Sequence, residues 1–158
     1  MLGSFTRWLR ILGYEAEYFK DASDDFLLKK TASQEAILLT SDVELFRRAS
    51  ARGLFAFVVK GENEAQRLAS VASRWGLRLD FDEVLSKCPK CGATLRMVNI
   101  EEVRDKVPAG TLKRYQEFWV CTCCGKAYWR GRHWKRINDT LARARILLQG
   151  STLNHDQL

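Results

Sequence analysis

Four cysteines in two Cys-x-x-Cys pairs carry the clearest chemistry in this sequence: Cys88-Pro89-Lys90-Cys91-Gly92 and, about thirty residues on, Cys121-Thr122-Cys123-Cys124-Gly125. A two-residue gap lets both thiolates of a pair reach one ion, and two such pairs supply the four ligands of tetrahedral zinc. A glycine after each pair lets the backbone fold back so that its amides approach the sulfurs. Cys88, Cys91, Cys121 and Cys124 are therefore expected to hold a structural Zn²⁺ in a zinc ribbon. Pairing Cys121 with Cys123 would leave a one-residue gap that bites a metal less comfortably, so Cys123 reads as a spare thiol. His133 is the remaining candidate ligand, but it lies nine residues beyond Cys124, outside the usual knuckle spacing.

A second chemistry belongs to acids. Asp42 follows the apolar run Ala36-Ile37-Leu38-Leu39-Thr40, which puts its carboxylate at the carboxyl end of an expected strand, where function gathers in parallel sheets. Asp24 and Asp25 open an expected helix, and Asp21 ends the loop before it. Acids grouped at one rim suit Mg²⁺ or Mn²⁺, which take oxygen ligands and activate water for phosphodiester hydrolysis. The same residues also have an ordinary structural use: Asp24 and Asp25 complement a helix dipole, and Asp42 can cap its own helix.

The third signal is a basic and aromatic segment. From Trp119 to Arg136 there are five Lys/Arg and no acid, interleaved with Trp119, Tyr128, Trp129 and Trp134. Cations neutralise phosphates while exposed rings stack on unpaired bases, the combination used for single-stranded nucleic acid. A ribbon also needs rings for its small core. Trp119 and Tyr128 are expected to fill it, leaving Arg130, Arg132, His133, Trp134 and Lys135 for a ligand.

Composition supports a polyanionic partner. Of the net charge of +7, little arises before residue 81, where twelve Lys/Arg face eleven Asp/Glu; from there on fourteen face eight. The 158 residues suffice for one ordinary domain plus a metal-stapled module. No apolar run approaches the roughly 20 residues of a membrane helix, so no membrane partner is expected, and no basic leader with a long apolar stretch and a small-residue cleavage site suggests secretion. Cysteines in metal-type spacing fit the reducing cytosol, so a cytoplasmic location is expected.

The elements that must position these groups alternate. Phe5, Trp8, Leu9 and Leu12 mark an amphipathic helix over residues 2–12, and Glu15-Ala16-Glu17-Tyr18-Phe19 reads as a short strand. Helices are expected over 24–32, 43–52 and 63–75, with strands over 36–40 and 54–59, which argues a parallel sheet covered by helices. A link over 80–86 leads into the ribbon, with strands at 94–99, 117–121 and 127–130 and one charged helix over 100–107 closed by Pro108. Asp139 is expected to cap a last helix ending at Gly150. The expected division is an α/β domain over 1–80, a zinc ribbon over 86–137, a C-terminal helix over 138–150 and a disordered tail over 151–158.

Met1-Leu2-Gly3 with Arg7-Trp8-Leu9-Arg10-Ile11-Leu12-Gly13-Tyr14, Leu38-Leu39-Thr40-Ser41-Asp42, Cys88-Pro89-Lys90-Cys91, and Tyr115 through Trp119 to His133-Trp134 together resemble one family. It is the PIN-like ribonuclease domain with an attached zinc ribbon named after the C-terminal region of the nematode Mut-seven exonuclease. The resemblance covers nearly the whole chain and implies a PIN-like α/β fold that cuts RNA with a divalent metal held by aspartates. Asp42 matches the acid after the Thr-x-Asp strand end and Asp24 the acid opening the second helix, with Asp25 as its substitute. Ser41 stands where the family often carries arginine, and the family's strand ending in aspartate before Met-Leu-Gly is absent here. This gap divides the expectations: a metal-dependent endoribonuclease if the strand is supplied, or a catalytically inactive zinc-ribbon RNA-binding or adaptor protein. A structural α/β protein whose ribbon contacts another protein is the third. The sheet edge left by that strand would also admit a second copy as a homodimer.

Overall fold

A computed structural model of the chain describes residues 2–153 and, of side chains, those of residues 2–150. The elements run α1 (Gly3–Ile11), α2 (Asp24–Gln34), β1 (Leu38–Thr40), α3 (Val43–Ala51), β2 (Ala56–Val58), α4 (Glu64–Trp75), β3 (Leu95–Val98), α5 (Ile100–Val103), α6 (Ala109–Arg114), β4 (Phe118–Cys121), β5 (Ala127–Trp129) and α7 (Arg132–Leu153). They divide into two compact units. One holds the start of α1 to Phe5, Tyr18–Leu79 and the chain from Arg143; the other holds Thr6–Glu17 and Asp80–Ala142.

The first unit is a small parallel α/β arrangement. β1 pairs in parallel with β2 in the register Leu38 with Ala56, Leu39 with Phe57 and Thr40 with Val58. Such pairing needs a crossover, and α3 provides it. Leu28, Leu38, Leu45 and Ala49 form the core that joins α2, β1 and α3. The helix ends follow from local chemistry. Ser23, Asp42 and Asn63 accept backbone N–H groups at the starts of α2, α3 and α4, and Gly76 ends α4 in the left-handed conformation.

The second unit contains an antiparallel three-stranded ribbon in the order β3-β4-β5. Val98, Val103, Val107, Phe118 and Val120 are buried together, with Ile100, Leu112 and Trp129 packed against them. The small helices between β3 and β4 thus supply part of the core that three short strands cannot build alone.

Several expected elements differ. Residues 15–19 form no strand: the Ala16 carbonyl oxygen accepts from Arg10 Nε at 2.8 Å rather than from a neighbouring strand. The expected helix over 100–107 is the four-residue α5, and Pro108 stands before α6 instead of closing a helix, because its fixed φ suits a helix entrance. α7 begins at Arg132, not after Asp139. Gly131 makes that early start feasible, since a Cβ there would come within 2.7 Å of the Trp129 indole nitrogen, and its carbonyl receives the Trp134 N–H at 2.9 Å. The helix also runs through Gly150, a substitution-like cost of about 1 kcal/mol that a helix of 22 residues absorbs. Of the tail, 151–153 continue α7 and 154–158 lie outside the described residues.

Candidate metal centre and nucleic-acid interface

Both knuckles lie in the second unit, where β4 delivers Cys121 and the loops after Lys87 and Cys121 deliver the rest. The sulfurs of Cys88, Cys91, Cys121 and Cys124 all lie within 4.8 Å of one another. Cys88 Sγ is 3.7 Å from Cys124 Sγ, and Cys91 Sγ is 3.4 Å from Cys121 Sγ. A zinc ion bonded at about 2.3 Å to four tetrahedral sulfurs separates them by about 3.8 Å, so this donor set fits Zn²⁺. Gly92 and Gly125 take φ of 83° and 67°, the left-handed turn each knuckle needs. Backbone N–H groups of Cys123 and Cys124 donate to Cys121 Sγ, each at 3.4 Å, which stabilises a thiolate. Cys123 itself is exposed and outside the cluster, and His133 is exposed on the first turn of α7.

Sequence reasoning missed two supports of this centre. Tyr128 Oη lies 3.1 Å from Cys88 Sγ. Burial pushes the Cys88 thiol up, but the bond from Tyr128 and the backbone amides of Cys91 and Lys90 outweigh it and bring it to about 6. Burial and then the bond to Cys88 push the Tyr128 hydroxyl well above its ordinary range, so Tyr128 is the donor. The second support is Arg10. It donates from Nη1 to the carbonyl oxygens of Pro89 at 3.3 Å and Lys90 at 2.9 Å, inside the first knuckle. The Tyr128 contact could have been sought in the strand after Cys124; Arg10 stands in the stretch from Arg7 to Tyr14 that carries the family resemblance, but no pattern there gives it this role.

The basic and aromatic segment is also part of the second unit. Trp119, Tyr128, Trp129 and Trp134 are all half-buried, whereas Arg132, His133 and Lys135 are exposed. Trp134 meets Phe81 edge to face with ring centroids 4.3 Å apart. Arg130 lies over the rings of Trp119 and Trp134, 5.4 and 5.5 Å from their centres, and pairs with Glu83 and, at 3.8 Å, with Glu117. Its charge is therefore already engaged within the unit. Phe81 and Glu83, in a stretch that reads only as a link, escaped sequence reasoning.

The acids of the first unit are placed as follows. Asp42 is exposed at the end of β1 and caps α3, its Oδ1 accepting from the N–H groups of Glu44 at 2.7 Å and Leu45 at 3.1 Å. Asp24 and Asp25 are brought together by Arg48, which donates to one oxygen of each at 2.6 Å. Asp42 and the pair are thus engaged separately. Among the described residues, the four cysteines are the one gathering of three or more metal-ligating side chains.

No helix among the described residues is long and apolar enough to cross a membrane. No curated protein and no solved structure matches this chain. Residues 1–141 match the family model described as the Mut7-C RNAse domain, and with the four-cysteine cluster and the small parallel sheet in place, the chain belongs to that family, for which RNA is the implied substrate and a nuclease-like function the implied activity.

Proposed function

We propose that the protein is a metal-dependent endoribonuclease of PIN-like type, in which the zinc ribbon helps to bind RNA and the acidic rim cuts it. The observation that carries this reading is Asp42, an exposed carboxylate at the carboxyl end of a parallel strand in a chain of an RNase-domain family. Its bonds to two helix N–H groups fix the carboxylate's direction and leave acceptor capacity over. Asp24 is the second acid of the proposed site and Asp25 its substitute. Mg²⁺ or Mn²⁺ keeps much of its water and is often held by one or two carboxylates plus substrate phosphates, which suits so sparse a rim. Such an ion would supply an activated water and offset charge on the phosphate. Arg132, His133 and Lys135, with Trp134 and the partly engaged Arg130, are the proposed RNA contacts, on single-stranded or structured RNA. Cysteines gathered in metal-type spacing support a cytoplasmic setting.

The test is Asp42→Asn. Asparagine caps a helix about as well as aspartate, so the change separates chemistry from folding. Manganese-dependent cleavage should vanish while zinc content and RNA affinity persist; surviving cleavage would remove Asp42 from the site. One observation favours a second reading. Arg48 pairs with both Asp24 and Asp25, and Arg52 with Asp25, as suits a module that binds RNA without cutting it. Binding with no cleavage of any RNA tried, at any manganese concentration, would favour that adaptor.

A further inference from the structure

We infer that a pocket in the ribbon unit takes one unpaired pyrimidine of an RNA strand. The inference rests on the reading that RNA is the ligand and names the feature of RNA that this surface recognises. The pocket has a volume of about 100 Å³, and its lining includes the rings of Phe81, Trp119, Trp129 and Trp134 together with Glu83 and Arg130. Phe81 and Trp134 brace each other edge to face, and Arg130 bridges the two indoles of Trp119 and Trp134, so the walls are held before any ligand arrives.

Size selects the ring. An enclosed apolar cavity of about 150 Å³ takes benzene. This pocket is smaller and open to solvent, so a single six-membered ring covers its walls while the second ring of a purine would project into water. Aromatic walls are the usual platform for a base, because every base has a π-face.

Charge selects a base over an apolar side chain or lipid. The Glu83 carboxylate and Arg130 guanidinium present an acceptor beside donors. Cytosine offers an N4 amino group beside acceptors, and uracil an N3–H between two carbonyls, so either matches that edge. A carboxylate can accept more bonds than the one Glu83 receives from Arg130. The two groups pair with each other and stay partly exposed, so each keeps bonding capacity that a polar base edge can use and an apolar anchor cannot. Arg132, Lys135 and Arg136, exposed on the first turns of α7, supply cations for the flanking phosphates.

The experiment uses the zinc-loaded full chain and octamers of C, U and A, without added Mg²⁺, Mn²⁺ or chelator so that strand and ribbon stay intact. The C and U octamers should bind at least about fivefold tighter than the A octamer and quench tryptophan fluorescence, as stacking on an indole does. Trp134→Leu should weaken the C octamer by about 5- to 100-fold and erase the preference, with an unchanged salt slope because no phosphate contact is lost. Glu83→Gln is a second variant whose sign is decisive. Removing a negative charge tightens a purely electrostatic complex, whereas loss of the base edge loosens binding of the C octamer. Equal or tighter binding of the A octamer, no quenching, tighter binding by Glu83→Gln, or free CMP binding as tightly as the octamer would each overturn the inference. Cleavage in a separate assay with manganese, alongside any of these results, would leave the nuclease reading standing and the pocket refuted; pyrimidine preference with no cleavage in that manganese assay would do the reverse.

Discussion

Arg10 Nη1 lies 2.9 Å from the carbonyl oxygen of Lys90, the residue before the second cysteine of the first knuckle. With its bonds to Pro89 and Ala16, one guanidinium binds three backbone carbonyls, and Gly92 leaves it room, since a Cβ there would sit 3.2 Å from Arg10 Nε. The planar fork is what allows this, and a lysine ammonium cannot reproduce it. Arg10→Lys should therefore fail to restore the stability lost in Arg10→Ala. Loss of a hydrogen bond from a charged group costs about 1.5–3 kcal/mol, or roughly 4–10 °C in Tm for a chain of this size. Thermal melts of the zinc-loaded variants check it; a wild-type Tm for the lysine variant would show that the fork is dispensable.

Tyr128 does for the metal what Arg10 does for the loop. Tyr128→Phe keeps the ring and removes only the donor to Cys88. Loss of such an outer partner lowers metal affinity by about 10- to 100-fold, and competition against a coloured chelator would measure it. The pH dependence has a definite sign. Cys88 is held at about 6 against an ordinary 9.0, so the thiolate's contribution is complete above pH 9 and is lost as pH falls through 6. Zinc affinity should fall with acidification, and in Tyr128→Phe the fall should begin at higher pH. An unshifted profile would show that the hydroxyl does not support the thiolate.

What could be read from sequence was what is local. Cys-x-x-Cys spacing is a four-residue signal, and the four sulfurs do converge. The edges of α3 and α4 lie within a residue or two of expectation because Asp42, Asn63 and Gly76 act on their nearest turns. What escaped was set by partners far along the chain. Glu15 to Phe19 alternates like a strand, yet Arg10 takes the Ala16 carbonyl. Asp139 looks like a helix cap, but the chain already enters the helix at Arg132. Trp134 looks like a free ring, and Phe81, 53 positions earlier, braces it. No period or spacing encodes such pairs.

Arg48 offers a test of the acidic rim that does not depend on cleavage. It donates 2.6 Å bonds to Asp24 and Asp25, so a metal ion must compete with a guanidinium for these oxygens. Arg48→Met should free Asp24 and leave Asp25 with Arg52 alone, 3.6 Å away. The groups are partly exposed, so the stability cost should stay within about 1 kcal/mol. Manganese should bind several-fold more tightly, read from the resonance signal of the free ion. Unchanged manganese affinity would show that Asp24 is no ligand.

The exposed cations of α7 and the engaged cation of β5's end should separate in salt titrations of single-stranded RNA binding. Arg130 is paired with Glu83 and Glu117 and stacked on two indoles, so Arg130→Ala removes one charge and uncovers two opposite ones without deleting a phosphate contact outright. Arg132 and Lys135 are exposed at the start of α7. Each phosphate contact adds about 0.7 to the slope of log affinity against log salt on a single strand. Arg132→Ala with Lys135→Ala should flatten that slope by about 1.4, whereas Arg130→Ala should weaken binding with little change of slope. Equal flattening by Arg130→Ala would mean that RNA draws this guanidinium out of its ion pairs and onto a phosphate.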